Sequence, residues 1–379
     1  MEQARCPHRP PCPGCPRFGE LGLGLAARTT LAELSRAHGL PEPAVISGGT
    51  VGFRLRARLA VRGRVGSPKL GLFEEGTHRV VHIPNCSVHH PLINRVASVV
   101  RRALVDARVT CYSDRAHLGL VRHVQVVVER GSQTAQVVLV ANSATPEPLA
   151  ACLDLVRERL GQDLHSLWFN ANQEPTNVIL GPRFEHWYGP ASVVEHFGGA
   201  AIYYPPGAFG QSNLDIAQSL IEHLREQIPP GAKALEFYAG VGAIGLSVLG
   251  QVSEIRMNEL SPHSLAGLEL GLAQLEPTSR AKVSVIPGEA GASSSQAAGA
   301  EVVIADPPRK GLDPELSTYL SEQPPARFLY VSCGLESFLK DVERLTSPGK
   351  LRLAALTAFN LLPFTEHVET VARFERSQP

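Results

Sequence analysis

Between residues 53 and 64 apolar and charged side chains alternate: Phe53, Leu55, Ala57, Leu59 and Val61 share one parity, and Arg54, Arg56, Arg58, Arg62 and Arg64 share the other. A period of two with arginine on one face predicts half-exposed antiparallel strands, and shorter stretches at 70–73 and 79–83 repeat it. Helices are predicted at 21–39, where Leu31, Leu34 and Leu40 fall near helical spacing, and at 91–105. Further strands at 120–129, 134–140 and 176–180 give this part an α+β character. The Pro- and Cys-rich residues 1–18 offer no regular pattern. Near residue 205 the rhythm changes. A helix at 213–226 stops before Pro229-Pro230, and strands at 234–238, 254–258, 283–286, 301–304 and 327–331 then follow, with helices at 243–250 and 261–275. This is the βαβ order of a doubly wound α/β sheet. The small, polar run at 290–300 reads as a surface loop. Two domains are therefore expected, 1–204 and 205–379, with part of 20–50 packing on the second.

Length and composition narrow the class. A chain of 379 residues with 44% hydrophobic content can bury two or three cores. It has no run of about 18 apolar residues, so no membrane span is expected. The opening Met1-Glu2-Gln3-Ala4-Arg5-Cys6 lacks the apolar stretch of a secretory signal, and a cytoplasmic monomer is the expectation. The net charge of zero conceals an asymmetry: residues 1–130 hold 19 Lys and Arg against 9 Asp and Glu, leaving 17 against 27 for the rest. A basic half joined to an acidic one suits a polyanion-binding module attached to a catalytic domain, although an Arg-rich solvated surface gives the same count. The seven cysteines are odd in number and three crowd the N-terminus, which argues for metal binding or catalysis over a disulfide framework.

Candidate chemistry sits at strand ends in the second half. Phe328-Leu329-Tyr330-Val331-Ser332-Cys333 is an apolar run that stops on a thiol. A structural cysteine would lie inside such a run. One at the C-terminal lip of an open α/β sheet stands where ligands bind, and it reads as a nucleophile. Gly240, Gly242 and Gly245 follow a strand and let the backbone approach a ligand. They satisfy G-x-G-x-x-G, so taken alone they leave a dinucleotide open. Glu259 ends the next strand about 20 residues on, where a carboxylate can hold ribose hydroxyls. Pro287-Gly288-Glu289-Ala290 ends a third strand and suits an adenine edge. With the chemistry downstream, S-adenosylmethionine is favoured over NAD. In Asp306-Pro307-Pro308-Arg309-Lys310-Gly311, two prolines stiffen the loop and aim Asp306 into the pocket.

Together these strings resemble the RNA uracil-5 (5-methyluridine) methyltransferase family over essentially the whole chain. The resemblance rests on Phe209-x-Gln211-x-Asn213, the glycine loop, the Asp306 to Gly311 string, Val331-Ser332-Cys333 and His367-Val368-Glu369-Thr370-Val371. It implies a C-terminal Rossmann-like class I S-adenosylmethionine-dependent methyltransferase domain and an N-terminal α+β domain carrying an iron–sulfur site. The implied partner is a ribosomal or transfer RNA, with the target uridine in a loop or flipped out of a helix. Cys333 is similar to the nucleophile that adds to C6 of uracil, and Glu369 to the base that removes the C5 proton. Gln211, Tyr238, Gly240, Glu259 and Asp306 match positions that bind the cofactor, with Asp306 on the side of the target base. Cys6-x5-Cys12-x2-Cys15 with distant Cys86 matches the family's spacing for a [4Fe–4S] cluster, although four thiolates by themselves suit zinc equally.

Further expectations concern the surroundings of these groups. Cys111 and Cys152 are taken as ordinary buried thiols. Arg309 or Lys310 is expected to lower the Cys333 pKa, and the Arg face at 54–64, with Lys69 and Arg79, to hold phosphates. The chain departs from the family where Gly334-Leu335 replaces the frequent Asn-Pro, and it lacks the N-terminal β-barrel RNA-binding domain of some members. Two other readings are weighed. An RNA cytosine-5 methyltransferase would show a second cysteine in a Pro-Cys context, which Asp306-Pro307 does not offer. Intact Cys333 and Glu369 count against a non-catalytic RNA-binding or folding factor on the same scaffold.

Overall fold

The Arg-rich alternation becomes one nine-residue strand, Arg56–Arg64, in the computed structural model, which describes residues 6–377. It lies third in a seven-stranded sheet ordered Val80–His82, Ser67–Phe73, Arg56–Arg64, Val121–Glu129, Thr134–Ala141, Leu164–Ala171 and Arg183–Tyr188. Neighbours are antiparallel except Thr134–Ala141 and Leu164–Ala171, a parallel pair joined through the helix Ala150–Leu160. The helix Pro91–Asp106 buries Leu92, Ile93, Val96, Val100 and Leu104, the stripe expected of a helix lying on a sheet. Pro91 opens it, where a missing N–H costs nothing, and His90 Nδ1 accepts from the Leu92 N–H at 3.3 Å.

Three arginines of the strand Arg56–Arg64 are engaged inside the fold, whereas Arg64, like Lys69 and Arg79, is exposed as expected. The Arg56 guanidinium lies 4.2 Å over the Tyr204 ring. Arg58 Nε donates to Gln125 Oε1 at 2.7 Å. Arg62 grips both oxygens of Asp114 at 2.6 and 2.7 Å and donates to the Arg122 carbonyl at 2.8 Å. A planar fork of donors that finds a carboxylate inside the fold is held there and is not free for phosphate. The strand expected at 176–180 is absent as well. Asn172 Nδ2 donates to the carbonyls of Val178 (2.8 Å) and Ile179 (3.0 Å), and Arg122 donates to that of Thr176 at 3.0 Å. Buried side chains therefore satisfy this backbone in place of a ladder.

This unit comprises residues 6–19, Gly49–Glu195 and Tyr204–Leu214; the second comprises Glu20–Gly48, His196–Tyr203 and residues 215–377. The chain thus changes unit five times; the expectation was a boundary after residue 204 with part of 20–50 packing on the second domain. In the second unit eight strands run in the order Ala44–Ile46, Leu351–Phe359, Glu369–Arg376, Arg327–Ser332, Val302–Ala305, Ala232–Phe237, Val252–Glu259 and Val283–Pro287. All are parallel except Glu369–Arg376, which is antiparallel to both neighbours. The inner strands are near-continuous apolar runs because helices cover both faces. Ala232–Phe237 sits between strands that wind away from it in opposite directions, so a crevice opens outside its C-terminal end. The helix Leu25–Ala37 buries Ala27 and Leu31 in this core, and Ala44–Ile46 adds an edge strand. Among the described residues no helix is long and apolar enough to cross a membrane.

Candidate active site

The reversed strand makes the site. In the ladder between Arg327–Ser332 and Glu369–Arg376, Ser332 pairs with Thr370, and the same register carries Cys333 opposite Glu369. Thr370 Oγ1 donates to the Ser332 carbonyl at 3.3 Å and pins this end. Asp306 follows the neighbouring strand Val302–Ala305 and ends at the same lip. Glu369 is 7% exposed, and burial followed by Asp306 pushes its carboxyl well above the carboxylate range. Asp306 keeps some exposure at the lip but is crowded by protein elsewhere, and burial raises it to about 7. Two carboxyls this close share protons and titrate as a pair.

The Cys333 thiol is pushed up to about 11, first by burial, then by Glu369 and Asp306, with Arg309 pulling the other way. This corrects the expectation of a lowered thiol pKa. Arg309 acts in the right direction and is outweighed, while Lys310 is tied to Asp313 at 2.9 Å. Arg309 also donates to His367 Nε2 at 3.2 Å. Both residues line, with Cys333, Gly334 and Leu335, an open groove of about 690 Å³.

The Gly334-Leu335 departure has a local cause. A Cβ at Gly334 would lie 2.6 Å from both the Arg309 carbonyl oxygen and Ser337 Oγ. Ser337 Oγ donates to that carbonyl at 2.8 Å, so the Asp306 to Gly311 loop is clamped onto the start of the helix Leu335–Thr346. Asp341, on the buried face of that helix, accepts from the Leu312 N–H at 3.0 Å and the Tyr330 hydroxyl at 2.6 Å. Sequence reasoning passed over Asp341. Its signal was a carboxylate between Phe338 and Leu345 on an apolar stripe.

Glycines and one carboxylate shape the cofactor side. Gly240 has φ +58, and nothing lies within 4 Å of where its Cβ would be, so bare backbone faces open space. Its N–H donates to Glu259 Oε2 at 2.7 Å, and Glu259 Oε1 accepts from the Ser261 N–H at 2.6 Å. A carboxylate has about four acceptor sites, so Glu259 keeps capacity for a diol. Asn258 Nδ2 holds the carbonyls of Ile286 and Gly288 at 3.0 Å each, which fixes the third strand end. The Tyr238 hydroxyl accepts from the Asp313 N–H at 3.1 Å, and its ring packs on the core. Gln211 lies in the Tyr204–Leu214 segment of the first unit. Glu236 was also passed over. It is fully buried, its Oε2 has no partner, and burial together with Asp306 holds its carboxyl well above the usual range.

In the first unit Cys6, Cys12, Cys15 and Cys86 line a single cavity of about 70 Å³ with Arg54. Burial raises Cys12, and burial followed by Cys86 raises Cys15 to about 11. Among the described residues no three His, Cys, Asp or Glu side chains are arranged to hold a metal ion. The four thiols are nonetheless an all-sulfur donor set around one space, and Arg54 Nε, buried there, has no hydrogen-bond partner. Cys152 is buried as expected, whereas Cys111 is only half-buried.

Comparison with known proteins assigns a class to this geometry. A protein of Protochlamydia amoebophila described as an uncharacterized RNA methyltransferase is 35% identical, over 98% of this chain and 97% of its own. One from Geobacter sulfurreducens with the same description is 26% identical over 86% of this chain and 66% of its own length. The crystal structure of Pyrococcus abyssi tRNA (uracil-54, C5)-methyltransferase in complex with S-adenosyl-L-homocysteine superimposes with a TM-score of 0.74 at 22% identity, covering 92% of this chain and 83% of that one. The protein is an RNA methyltransferase, with the α/β fold of S-adenosylmethionine-dependent enzymes. The sequence profile of the family described as tRNA (Uracil-5-)-methyltransferase matches residues 296–377, which hold Asp306, Cys333 and Glu369. The chain belongs to the RNA methyltransferase family of the Protochlamydia amoebophila protein.

Proposed function

We propose that the protein methylates C5 of one uridine in a transfer or ribosomal RNA, through a covalent bond between Cys333 Sγ and C6 of uracil. The observation that carries this reading is the ladder register setting Cys333 opposite Glu369, with Asp306 at the same lip. Uracil C5 is too weak a nucleophile by itself. The Cys333 thiolate adds to C6, and the displaced electron pair forms an enolate that makes C5 nucleophilic. S-adenosylmethionine, when bound, supplies the methyl group that C5 takes up. Glu369 then accepts the C5 proton, the C5–C6 double bond reforms and the thiolate leaves. Asp306 holds the base beside Cys333, and Gln211, Tyr238, Gly240 and Glu259 hold the cofactor.

In this reading the second unit is catalytic, and the first binds RNA and carries a [4Fe–4S] cluster on Cys6, Cys12, Cys15 and Cys86. The four thiols line one cavity, and the likeness of their spacing to that of the family favours the cluster over zinc. The test is RNA mass mapping of a strain lacking the protein, which should miss one 5-methyluridine; retention of every such site overturns the substrate. RNA carrying 5-fluorouridine should trap a covalent complex that Cys333→Ala abolishes. A complex that survives this substitution overturns the mechanism.

A further inference from the structure

The cysteine cavity contains one cation whose place the proposed function does not explain. Arg54 is locked by its backbone: its N–H donates to the Val88 carbonyl and its own carbonyl accepts from the His90 N–H, both at 2.9 Å. This fixes the side chain beside the turn that carries Cys86. Its Nε is buried without a partner, unlike Arg62, whose fork is filled by Asp114. With all four thiols protonated, Arg54 would be a buried cation facing neutral sulfur, an arrangement folded proteins avoid. With the thiols ionised around a metal group the balance reverses. Four thiolates on a [4Fe–4S] core of charge +2 leave a net −2, which becomes −3 on one-electron reduction. Arg9 and Arg58 also border the cavity, but Arg9 is exposed and donates to the Cys15 carbonyl, and Arg58 Nε donates to Gln125 Oε1.

We propose that Arg54 is the counter-cation of this four-thiolate centre, donating to its sulfurs and setting the reduction potential and retention of the cluster they hold. The inference rests on the cluster reading above. An arginine suits the task because its charge persists in a buried site and its planar donors can face two sulfurs at once. Removing a positive charge beside an anionic cluster makes adding an electron harder, so the potential must fall.

The full chain is purified anaerobically as wild type, Arg54→Gln and Arg54→Lys, and iron, acid-labile sulfide and zinc are measured. The potential is read by dithionite titration of the reduced cluster's EPR signal, and retention by bleaching under a chelator. Arg54→Gln is expected to lower the equilibrium constant for reduction at least tenfold, about 59 mV for one electron, and to bleach several-fold faster, with Arg54→Lys in between. A loaded Arg54→Gln protein with wild-type potential and bleaching rate overturns the role of Arg54 alone. Wild type without iron and sulfide, whether empty or holding zinc, overturns the cluster reading and the proposal with it. Should Arg54→Gln emerge without iron, Arg54→Lys decides: loading with a lowered potential supports a role for the charge, and a second failure to load overturns it.

Discussion

Alkylation of Cys333 against pH tests the electrostatics of the site directly. With its pKa near 11, this thiol is ionised in about one molecule per thousand at pH 8, against roughly a quarter for an unperturbed cysteine. Iodoacetamide should therefore modify it on the order of a few hundredfold more slowly than an accessible cysteine. Its rate should climb about tenfold per pH unit through pH 10 without a plateau. The neighbours can be separated by sign. Continuing the register one step past Ser332 and Thr370 sets Glu369 across from Cys333, where the backbones of paired strands lie about 5 Å apart. At an effective dielectric of 20 to 40, one charge at that range is worth about 2 to 3 kcal/mol, or one to two pKa units. Glu369→Gln should accelerate alkylation by up to about 10- to 100-fold at pH values where the raised Glu369 carboxyl is ionised. The gain should shrink as pH falls and the raised carboxyls of Glu369 and Asp306 take up protons. Arg309→Ala should slow the reaction severalfold, since this exposed guanidinium is the group favouring the thiolate.

Mass spectrometry of the Cys333 peptide separates it from the other six cysteines. A plateau below pH 9, or a slower reaction in Glu369→Gln, refutes the reasoning. Buried carboxyls would then not be what silences the thiol. If the pattern holds, the enzyme must ionise Cys333 after RNA is in place, when the bound base has displaced water and the carboxyl pair has settled its proton.

Three further outcomes are expected. Asp306, raised from an ordinary value near 3.8 to about 7, binds its proton more tightly when folded, so it costs stability as pH rises through that window. Asp306→Asn should stabilise the full chain against urea at pH 8 by up to about 4 kcal/mol, less for its partial exposure and shared titration, and by nothing near pH 3.5; equal gains at both values would exclude this cause. Gly334→Ala should cost about 1–3 kcal/mol by pushing the Arg309 carbonyl away, and Gly334→Asn should be no better. Asp341→Ala leaves the Leu312 N–H and Tyr330 hydroxyl unpaired, and calorimetry should show a loss of about 2–4 kcal/mol; a change below 0.5 kcal/mol (roughly the scatter of surface substitutions) would mean that the loop is held by other contacts.

What the sequence could show depended on how far apart the interacting residues lie. The apolar runs at 302–305 and 327–332 read as strands because burial on both faces leaves a local signature. The end of the second run then located Cys333. The fate of the arginines was not local: the partners of Arg62 and Arg58 lie 52 and 67 residues away, so an alternating strand looked like a free basic face. Glu236 illustrates the same limit, since only the packed sheet shows it sealed beside Asp306. The meeting of thiol and carboxylate depended on strand direction. Had the last strand run parallel to Arg327–Ser332, Glu369 would enter the sheet at the opposite edge, roughly 20 Å from Cys333. Running antiparallel, it brings its first residue to the lip where its neighbour ends. One reversed strand within an otherwise parallel sheet is thus enough to join residues 36 positions apart (333 to 369) into a single site.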